Sequence, residues 1–207
     1  TGGGPRQWDT FVAAIFAVPF EHLAITDNEF TGNSIGLFVN STNGEFSQSW
    51  YLTVSRNYFH DNGISGQARL HNAYTEAIGT IYEYNYFGPP VSGTAGDNIK
   101  ERSAGLIMRY NYIEDGVNLI AMRDPESNWA LEAAQVDAFG VKLASTSFVY
   151  SNILVVRRPS VYGESSVVIG HGDGVAYGTG QQVRDGNLYF YSNKVISWID
   201  YREYYTD

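Results

Sequence analysis

The chain lacks several features that would place it in a common class of protein. Its 207 residues include no cysteine, which excludes disulfides and thiolate metal sites. No apolar run approaches the ~20 residues that span a bilayer as a helix, so the sequence predicts no membrane span. There are 13 Lys and Arg against 22 Asp and Glu, without a basic cluster that could neutralise a phosphate backbone. Nucleic acid is therefore not an expected partner. Pro-rich and Ser-rich linkers are missing too, so we predict a single domain over residues 1–207.

What the chain does contain is a six-residue pattern that recurs six times: an apolar or aromatic residue, two variable residues, asparagine, one variable residue and a bulky apolar residue. The asparagines are Asn28, Asn57, Asn85, Asn111, Asn152 and Asn193, at intervals of 29, 28, 26, 41 and 41 residues. Repetition of strand-like units at this period is typical of a solenoid with one coil per repeat. Tight Asn-Gly hairpin turns are mostly missing between the strand-like runs. The sequence therefore predicts an all-β fold, a single-stranded right-handed parallel β-helix with an asparagine ladder and long loops.

The recurring asparagine suits a sharp turn between two strands. Asn tolerates left-handed backbone angles better than most residues, so we expect it to occupy the left-handed position of each turn. Amides at the same point of successive coils can bond one another along the axis, which satisfies buried polar groups. We interpret the six asparagines as structural, and none is a candidate catalyst.

The two long intervals leave the organisation of the later coils open. Residues 124–138 predict a short helix, which would account for the first 41-residue interval. Alternatively, each long interval holds two short coils with a degenerate asparagine position. Short alternating stretches at 22–25, 35–39 and 51–54 predict strands, with two or three in each coil.

The two ends of the chain differ from the repeats. Residues 1–20 predict an N-terminal strand or cap, and the aromatic segment 198–207 predicts a C-terminal cap or a partner-contacting tail. An uncapped solenoid would have open strand edges at its ends. We therefore predict that the ends of the solenoid contact another copy of the chain or a partner protein. The chain begins with Thr1 instead of Met, which suggests a processed product. With a composition rich in aromatics, Asn and Gly, this predicts an extracellular or cell-surface location, with the periplasm as an alternative.

Three segments carry a resemblance to a known family. Residues 99–116, the stretch His71-Asn-Ala-Tyr74 and residues 186–195 resemble bacterial right-handed parallel β-helix repeat proteins, relatives of the pectate lyase superfamily. The resemblance covers roughly residues 20–197. The family's central motif resembles Ile-Lys-Ser-Arg-Ala, whereas this chain has Glu101 and Ser103 in place of the serine and the alanine. The resemblance implies a parallel β-helix and polysaccharide chemistry. It is stronger support for the fold than for a particular reaction, because one fold can host many activities.

Basic residues supply the candidate catalytic groups. Lyases acting on uronates need a base and a positive group for the carboxylate and the developing enolate, and lysine, arginine and calcium serve these purposes in the β-helix lyases that the chain resembles. Lys100 and Arg102 alternate on one predicted strand, so they point to the same side, and Arg123 lies one coil further on. In this hypothesis Lys100 is the base, Arg123 is the acid or carboxylate clamp, and Arg102 binds substrate.

The other interpretation is that these three are solvated charges in ordinary surface ion pairs. Their partners would be Asp97, Glu101 and Asp124.

Further candidates for substrate binding are His71 with Tyr74, and His171. His171 lies in Gly-His-Gly-Asp-Gly, where the glycines allow a ligand to approach the backbone. Three loop aspartates, Asp97, Asp124 and Asp173, could supply oxygen ligands to calcium, although they match no calcium-binding repeat. No histidine pair has zinc-ligand spacing, and we predict no required cofactor, with calcium as an optional one.

Two functions fit these observations. The first is an exported carbohydrate-active β-helix that binds an acidic polysaccharide. The sequence leaves open whether it also cleaves that polysaccharide by β-elimination. The alternative is a non-enzymatic structural or adhesive β-helix within a larger extracellular assembly. The convergence of the basic residues in one groove would favour the first, and their dispersal or burial in ion pairs the second.

Overall fold

The computed structural model describes residues 12–41, 48–123, 146–157, 167–171 and 187–198. These residues form strands and connections, with no helix among them. The strands make three six-stranded sheets, and every strand pair in them is parallel. The prediction of an all-β fold built from parallel strands is confirmed for this part of the chain.

The chain visits the three sheets in a constant order, so each sheet takes every third strand. Sheet A contains β1 (Ala13–Ala17), β4 (Ile35–Val39), β7 (Ala73–Thr75), β10 (Ile99–Glu101), β13 (Asn118–Met122) and β16 (Val167–His171). Sheet B contains β2 (Glu21–Thr26), β5 (Trp50–Ser55), β8 (Ile78–Glu83), β11 (Leu106–Arg109), β14 (Thr146–Tyr150) and β17 (Asn187–Tyr191). Sheet C contains β3 (Glu29–Thr31), β6 (Tyr58–His60), β9 (Tyr86–Phe87), β12 (Tyr112–Glu114), β15 (Ile153–Val156) and β18 (Lys194–Ser197). Three consecutive strands, one from each sheet, are called a coil below, and coils 1 to 6 begin with β1, β4, β7, β10, β13 and β16.

The interior consists of aligned columns of apolar side chains. Phe30, Phe59 and Phe87 occupy equivalent positions in coils 1 to 3, and their rings stack with centroids 4.5 and 4.6 Å apart. All three are buried, and each buried aromatic side chain contributes about 1.5–3 kcal/mol to stability. The period-two alternation of the strands thus places one apolar layer inside every coil.

The asparagine ladder is confirmed over all six coils. In each of the first five, the backbone N–H and the side-chain amide of the ladder asparagine donate to Oδ1 of the asparagine in the next coil, at 2.9–3.1 Å. Asn111 bonds directly to Asn152, and Asn152 to Asn193. Each 41-residue interval therefore advances the ladder by one coil, and the alternative of two short coils is wrong. The helix predicted at 124–138 lies outside the described residues.

The left-handed position of the turn was predicted wrongly. The positive φ, between 55° and 61°, belongs to the residue before each ladder asparagine, and not to the asparagine. These residues are Asp27, Arg56, Tyr84, Tyr110, Ser151 and Ser192. The chain turns one residue early, so the asparagine side chain is left free to bond along the stack.

A second set of stacked asparagines was not predicted. Asn33 donates to Asn62, Asn62 to Asn72 and Asn72 to Asn98 through their side-chain amides, at 3.1, 2.9 and 2.8 Å. The four share no constant spacing and no flanking motif, because this corner between sheets C and A has connections of variable length. Only the assembled coils bring these amides into line.

Candidate functional site

The outer face of sheet A carries a column of aromatic side chains that ends in a cation. Phe16, Phe38, Tyr74 and Lys100 occupy the same register position on β1, β4, β7 and β10. The two ring-to-ring distances are 5.2 and 4.8 Å, and Lys100 Nζ lies 5.2 Å from the centroid of the Tyr74 ring. The ammonium group thus sits at cation–π distance from the end of an aromatic stack.

Arg102 approaches the same ring, with Cζ 6.0 Å from the Tyr74 centroid. Tyr74 and Arg102 are both buried, whereas Lys100 is half-buried. Two cations therefore share one aromatic partner, and of the two Lys100 has the greater access to solvent. The structure places Arg102 as a support beneath the surface, where it does not present its guanidinium to solvent.

Arg123 stacks beside Arg102 in the next coil. Its backbone N–H donates to the carbonyl of Glu101 at 2.7 Å, just as the N–H of Arg102 donates to the carbonyl of Thr75 at 2.8 Å. The two arginines therefore occupy equivalent positions on adjacent strands, about 4.8 Å apart along the stack. Arg123 is half-buried, like Lys100.

His71 lies under this surface and is neutral at physiological pH. Its Nδ1 makes its shorter contact, 3.0 Å, with the backbone N–H of Asp97, so Nδ1 accepts and Nε2 carries the proton. Burial lowers the pKa of His71 to about 4, and the charges of Lys100 and Arg102 act in the same direction, against the opposing charge of Asp97. With its side chain fully buried, His71 positions the groups around it and does not itself reach solvent.

Asp97 links two coils instead of presenting a free carboxylate. Its Oδ1 accepts hydrogen bonds from the backbone N–H and the side-chain amide of Asn118, at 3.2 and 2.5 Å. Within the described ranges, no group of three or more His, Asp or Glu side chains is placed to hold a metal ion. Asp124 and Asp173, the other two calcium candidates, lie outside those ranges, so a calcium site involving them stays a prediction.

His171 lies apart from the other candidates. It ends β16 and pairs with Met122, which in turn pairs with Glu101, so it is two coils beyond the strand of Lys100. The structure therefore gathers His71, Tyr74, Lys100, Arg102 and Arg123 within coils 3 to 5, and places His171 in coil 6.

Glu101 belongs to a buried polar cluster that the sequence interpretation missed. Its carboxylate is fully buried and accepts from the hydroxyl of Thr75 and from the backbone N–H of Ser103. Thr75 also bonds the hydroxyl of Tyr82 at 2.8 Å, and burial, reinforced by the charge of Glu101, raises the pKa of Tyr82 well above its usual value. The expectation that Glu101 is a solvated charge is therefore wrong. The sequence could have predicted this burial. Glu101 is two residues from the inward-facing Ile99, and alternate residues of a strand face the same side.

Arginines of sheets B and C are held in ion pairs at some distance from sheet A. Arg56 pairs with Asp27 at 2.7 Å and Arg109 pairs with Glu83 at 2.7 Å. Similarly, Arg157 Nε lies 2.8 Å from Glu114 Oε1. Such exposed or partly exposed pairs are screened by solvent, so they mainly fix side-chain positions.

Comparison with known proteins adds no family to these observations. No protein-family model, no curated protein and no solved structure matches the chain. Among the described residues there is also no helix with the length and apolar character needed to cross a bilayer. The candidate site is therefore judged on its own geometry and charge.

Proposed function

We propose that this chain is an extracellular right-handed parallel β-helix that binds an acidic polysaccharide on the outer face of sheet A. Three parallel sheets visited in constant order support the β-helix, since parallel neighbours in one sheet need crossover connections, and these are right-handed in the great majority of proteins. The resemblance of residues 99–116 to pectate lyase-like repeats agrees with this architecture. No step of the proposal requires a cofactor.

The observation that carries the proposal is the pair of half-buried cations on one side of sheet A, Lys100 in β10 and Arg123 directly after the neighbouring strand β13. An ammonium and a guanidinium group are natural partners for sugar carboxylates, and the guanidinium can bind one through two parallel hydrogen bonds. The Tyr74 ring lies 5.2 Å from Lys100 Nζ, which restricts the orientations available to the lysine side chain. A site supported in this way binds with a smaller entropic cost.

Cleavage by β-elimination is the extension of this proposal. For this step Lys100 would first release the proton of its ammonium group to solvent, and the neutral amine would then take the proton from the carbon next to the bound carboxylate, while Arg123 holds that carboxylate and stabilises the enolate. The electron pair then forms the new double bond, and the glycosidic oxygen leaves with a proton delivered by an acid or by water. His71 and Tyr74 act as positioning residues here, because both are buried.

Binding is tested with alginate, polygalacturonate and hyaluronan by calorimetry at low and high salt. We expect Lys100→Ala and Arg123→Ala to weaken binding at least ten-fold, and binding to weaken with added salt. Lys194→Ala is the matched control, since Lys194 is an exposed lysine on sheet C, and it should bind like the wild type. Failure to bind any of the three polymers, or equal loss in the control, would contradict the proposal.

Elimination is tested separately by following the ultraviolet absorbance of unsaturated uronate ends, with and without calcium. A rise with the wild type that disappears in Lys100→Ala is the expected sign of lyase activity. If the protein binds a polymer but the absorbance does not rise, it is a polysaccharide-binding protein and the proposed lyase activity is wrong.

A structural or adhesive role is the second candidate, and the last described coil favours it. Phe190 and Val195 are 42% and 50% exposed, although their equivalents in coil 5, Val149 and Leu154, are fully buried. Core positions exposed at one end suit contact with the predicted C-terminal cap, of which residues 199–207 lie outside the described part of the chain, with another protein or with another copy. Concentration-dependent self-association, together with no polysaccharide binding, would favour this role over the first.

A further inference from the structure

Tyrosines line the corner between sheets B and C, on both sides of the asparagine ladder. The sheet B side carries Tyr84, Tyr110, Tyr150 and Tyr191, and the sheet C side carries Tyr58, Tyr86 and Tyr112. We call these seven residues the tyrosine strip. It lies on a different edge of the coils from Lys100 and plays no part in the function proposed above.

The rings on the sheet B side follow one another at close to the spacing of the coils. Tyr84 and Tyr110 stack at 5.1 Å, Tyr110 meets Tyr150 edge to face at 6.0 Å, and Tyr150 stacks on Tyr191 at 4.9 Å. Adjacent parallel strands lie about 4.8 Å apart, so four consecutive coils each contribute one ring. The result is a continuous row of aromatic rings along the stack, with a shift of one residue between Tyr110, which directly precedes its ladder asparagine, and Tyr150, which pairs with Arg109.

The sheet C side adds a second row next to the first. Tyr58 and Tyr86 stack at 4.8 Å, and Tyr86 meets Tyr112 edge to face at 5.0 Å. Tyr84 and Tyr86 flank one ladder asparagine, and Tyr110 and Tyr112 flank the next. Two parallel rows of rings, with the turn between them, therefore cover this edge.

Two of these tyrosines are held in a strained backbone conformation. Tyr84 and Tyr110 have φ of 57°, a left-handed conformation that is unfavourable for a bulky side chain. The fold does not require a ring there, since the equivalent positions of other coils carry Asp27 or Ser151. Burial does not offset the strain either, because the two side chains are 56% and 44% exposed. These two rings therefore stay at exposed positions with positive φ, as does the ring of Tyr51, which lies outside the strip.

On the sheet B side the charges beside the strip are held in ion pairs, whereas on the sheet C side His60 stacks on Tyr58 at 4.1 Å and lies between the carboxylates of Glu29 and Asp61. Arg109 pairs with Glu83 and also donates from Nη1 to the hydroxyl of Tyr150 at 3.1 Å. Arg56, before the strip, pairs with Asp27. On the sheet B side these pairs leave a surface of aromatic edges and phenolic hydroxyls, which matches a ligand that is uncharged, partly apolar and rich in hydroxyl groups.

The shape of this edge indicates which kind of ligand the strip can bind. A turn between two sheets is a convex ridge, whereas a specific protein interface usually buries well over about 1,000 Å² on a broader surface. A linear polymer can follow a ridge, and an extended glycan advances by roughly one coil spacing per sugar. We propose that the tyrosine strip binds an uncharged, extended polysaccharide, with its sugars in step with successive coils.

The test is a double substitution that removes two rings and relieves strain at the same time. Asn adopts positive φ more readily than Tyr, so Tyr84→Asn/Tyr110→Asn should fold with an unchanged or higher melting temperature. Tyr51→Asn is the matched control, because Tyr51 also has positive φ, at 54°, and is similarly exposed, but lies at the corner between sheets A and B. Any difference in binding between the two variants then reflects the strip.

The probes are xylan, glucomannan and hydroxyethylcellulose as uncharged polymers, and polygalacturonate as a charged one, measured by affinity electrophoresis and calorimetry. We expect the wild type and Tyr51→Asn to bind at least one uncharged polymer, insensitively to added salt, and the double variant to bind it at least ten-fold more weakly. Lys100→Ala should bind it like the wild type, which separates this site from that on sheet A. No binding of any uncharged polymer, or wild-type binding by the double variant, would overturn the proposal.

Discussion

The buried histidine allows a quantitative test of the architecture beneath the candidate site. The folded protein holds His71 in its neutral form, with a pKa of about 4. In the unfolded chain the same side chain has its ordinary pKa, about 6.5. As pH falls below 6.5, the unfolded state takes up a proton that the folded state resists, so folding stability decreases. The loss begins near pH 6.5 and is complete below pH 4.

The magnitude follows from the difference between the two pKa values. At 1.36 kcal/mol per pKa unit, a shift from 6.5 to about 4 corresponds to about 3 kcal/mol, of which about 2 kcal/mol is already lost at pH 5. That is a large part of the total stability of an ordinary domain, about 5–15 kcal/mol.

The assay compares urea unfolding of the wild type and His71→Asn between pH 7.5 and pH 4. Asn offers an acceptor oxygen to the Asp97 N–H but does not titrate, so the variant lacks the pH-dependent loss. Taking the difference between the two proteins cancels the titration of the carboxylates. Since the charge of Lys100 contributes to the low pKa of His71, Lys100→Ala should raise that pKa in an NMR titration, by less than burial lowers it.

A difference in unfolding free energy that stays constant with pH would refute the reasoning. It would show that His71 is accessible to protons and water in the folded protein, and therefore that the surface above it is open. The expected result is a difference that changes by about 3 kcal/mol in favour of the variant as pH falls to 4.

Three further predictions concern stability. A Cβ on Gly96 would lie 1.8 Å from a backbone carbonyl oxygen, so Gly96→Ala should cost more than about 3 kcal/mol by thermal unfolding, against about 1–2 kcal/mol for Gly66→Ala, where only the positive φ is strained. Asn111→Ala removes the acceptor for two buried donors of the preceding coil and should cost about 2–4 kcal/mol, against about 1 kcal/mol for the exposed terminal Asn28→Ala; equal costs would argue against a cooperative ladder. Burial lowers the pKa of His60, but hydrogen bonds to two carboxylates outweigh this and raise it. His60 therefore contributes stability below its ordinary pKa that is lost as pH rises through the higher folded value, and His60→Asn should abolish this dependence in urea unfolding.

The strands could be predicted from the sequence because their alternation is local. Ile35–Val39 was predicted with its observed bounds, and the ladder asparagines share a motif that repeats with the coil. The ladder could be predicted in spite of the two long intervals, because the motif recurs once in each coil. The left-handed residue of the turn was misplaced by one position, because tolerance of positive φ in Asn says nothing about where its amide must point.

The candidate site was predictable only in part. The side on which Lys100 projects follows from period-two alternation, and the same rule should have placed Glu101 inside. The contact of Arg102 with Tyr74 depends on how two strands separated by a whole coil align, and that alignment depends on the lengths of the connections between them. His71 gave no signal of burial, because it precedes its strand and is enclosed by other coils.

The sequence by itself determined that this protein is built from short parallel strands, with one asparagine per coil bonding along the stack. Those properties need only near neighbours and a repeated motif. The tertiary structure alone decided which charges share a surface, that a second set of asparagines lines another corner, and that tyrosines from successive coils form a continuous strip. The physical reason is that each of these depends on the register between coils, where residues 26 to 41 positions apart become neighbours at about the spacing of two strands.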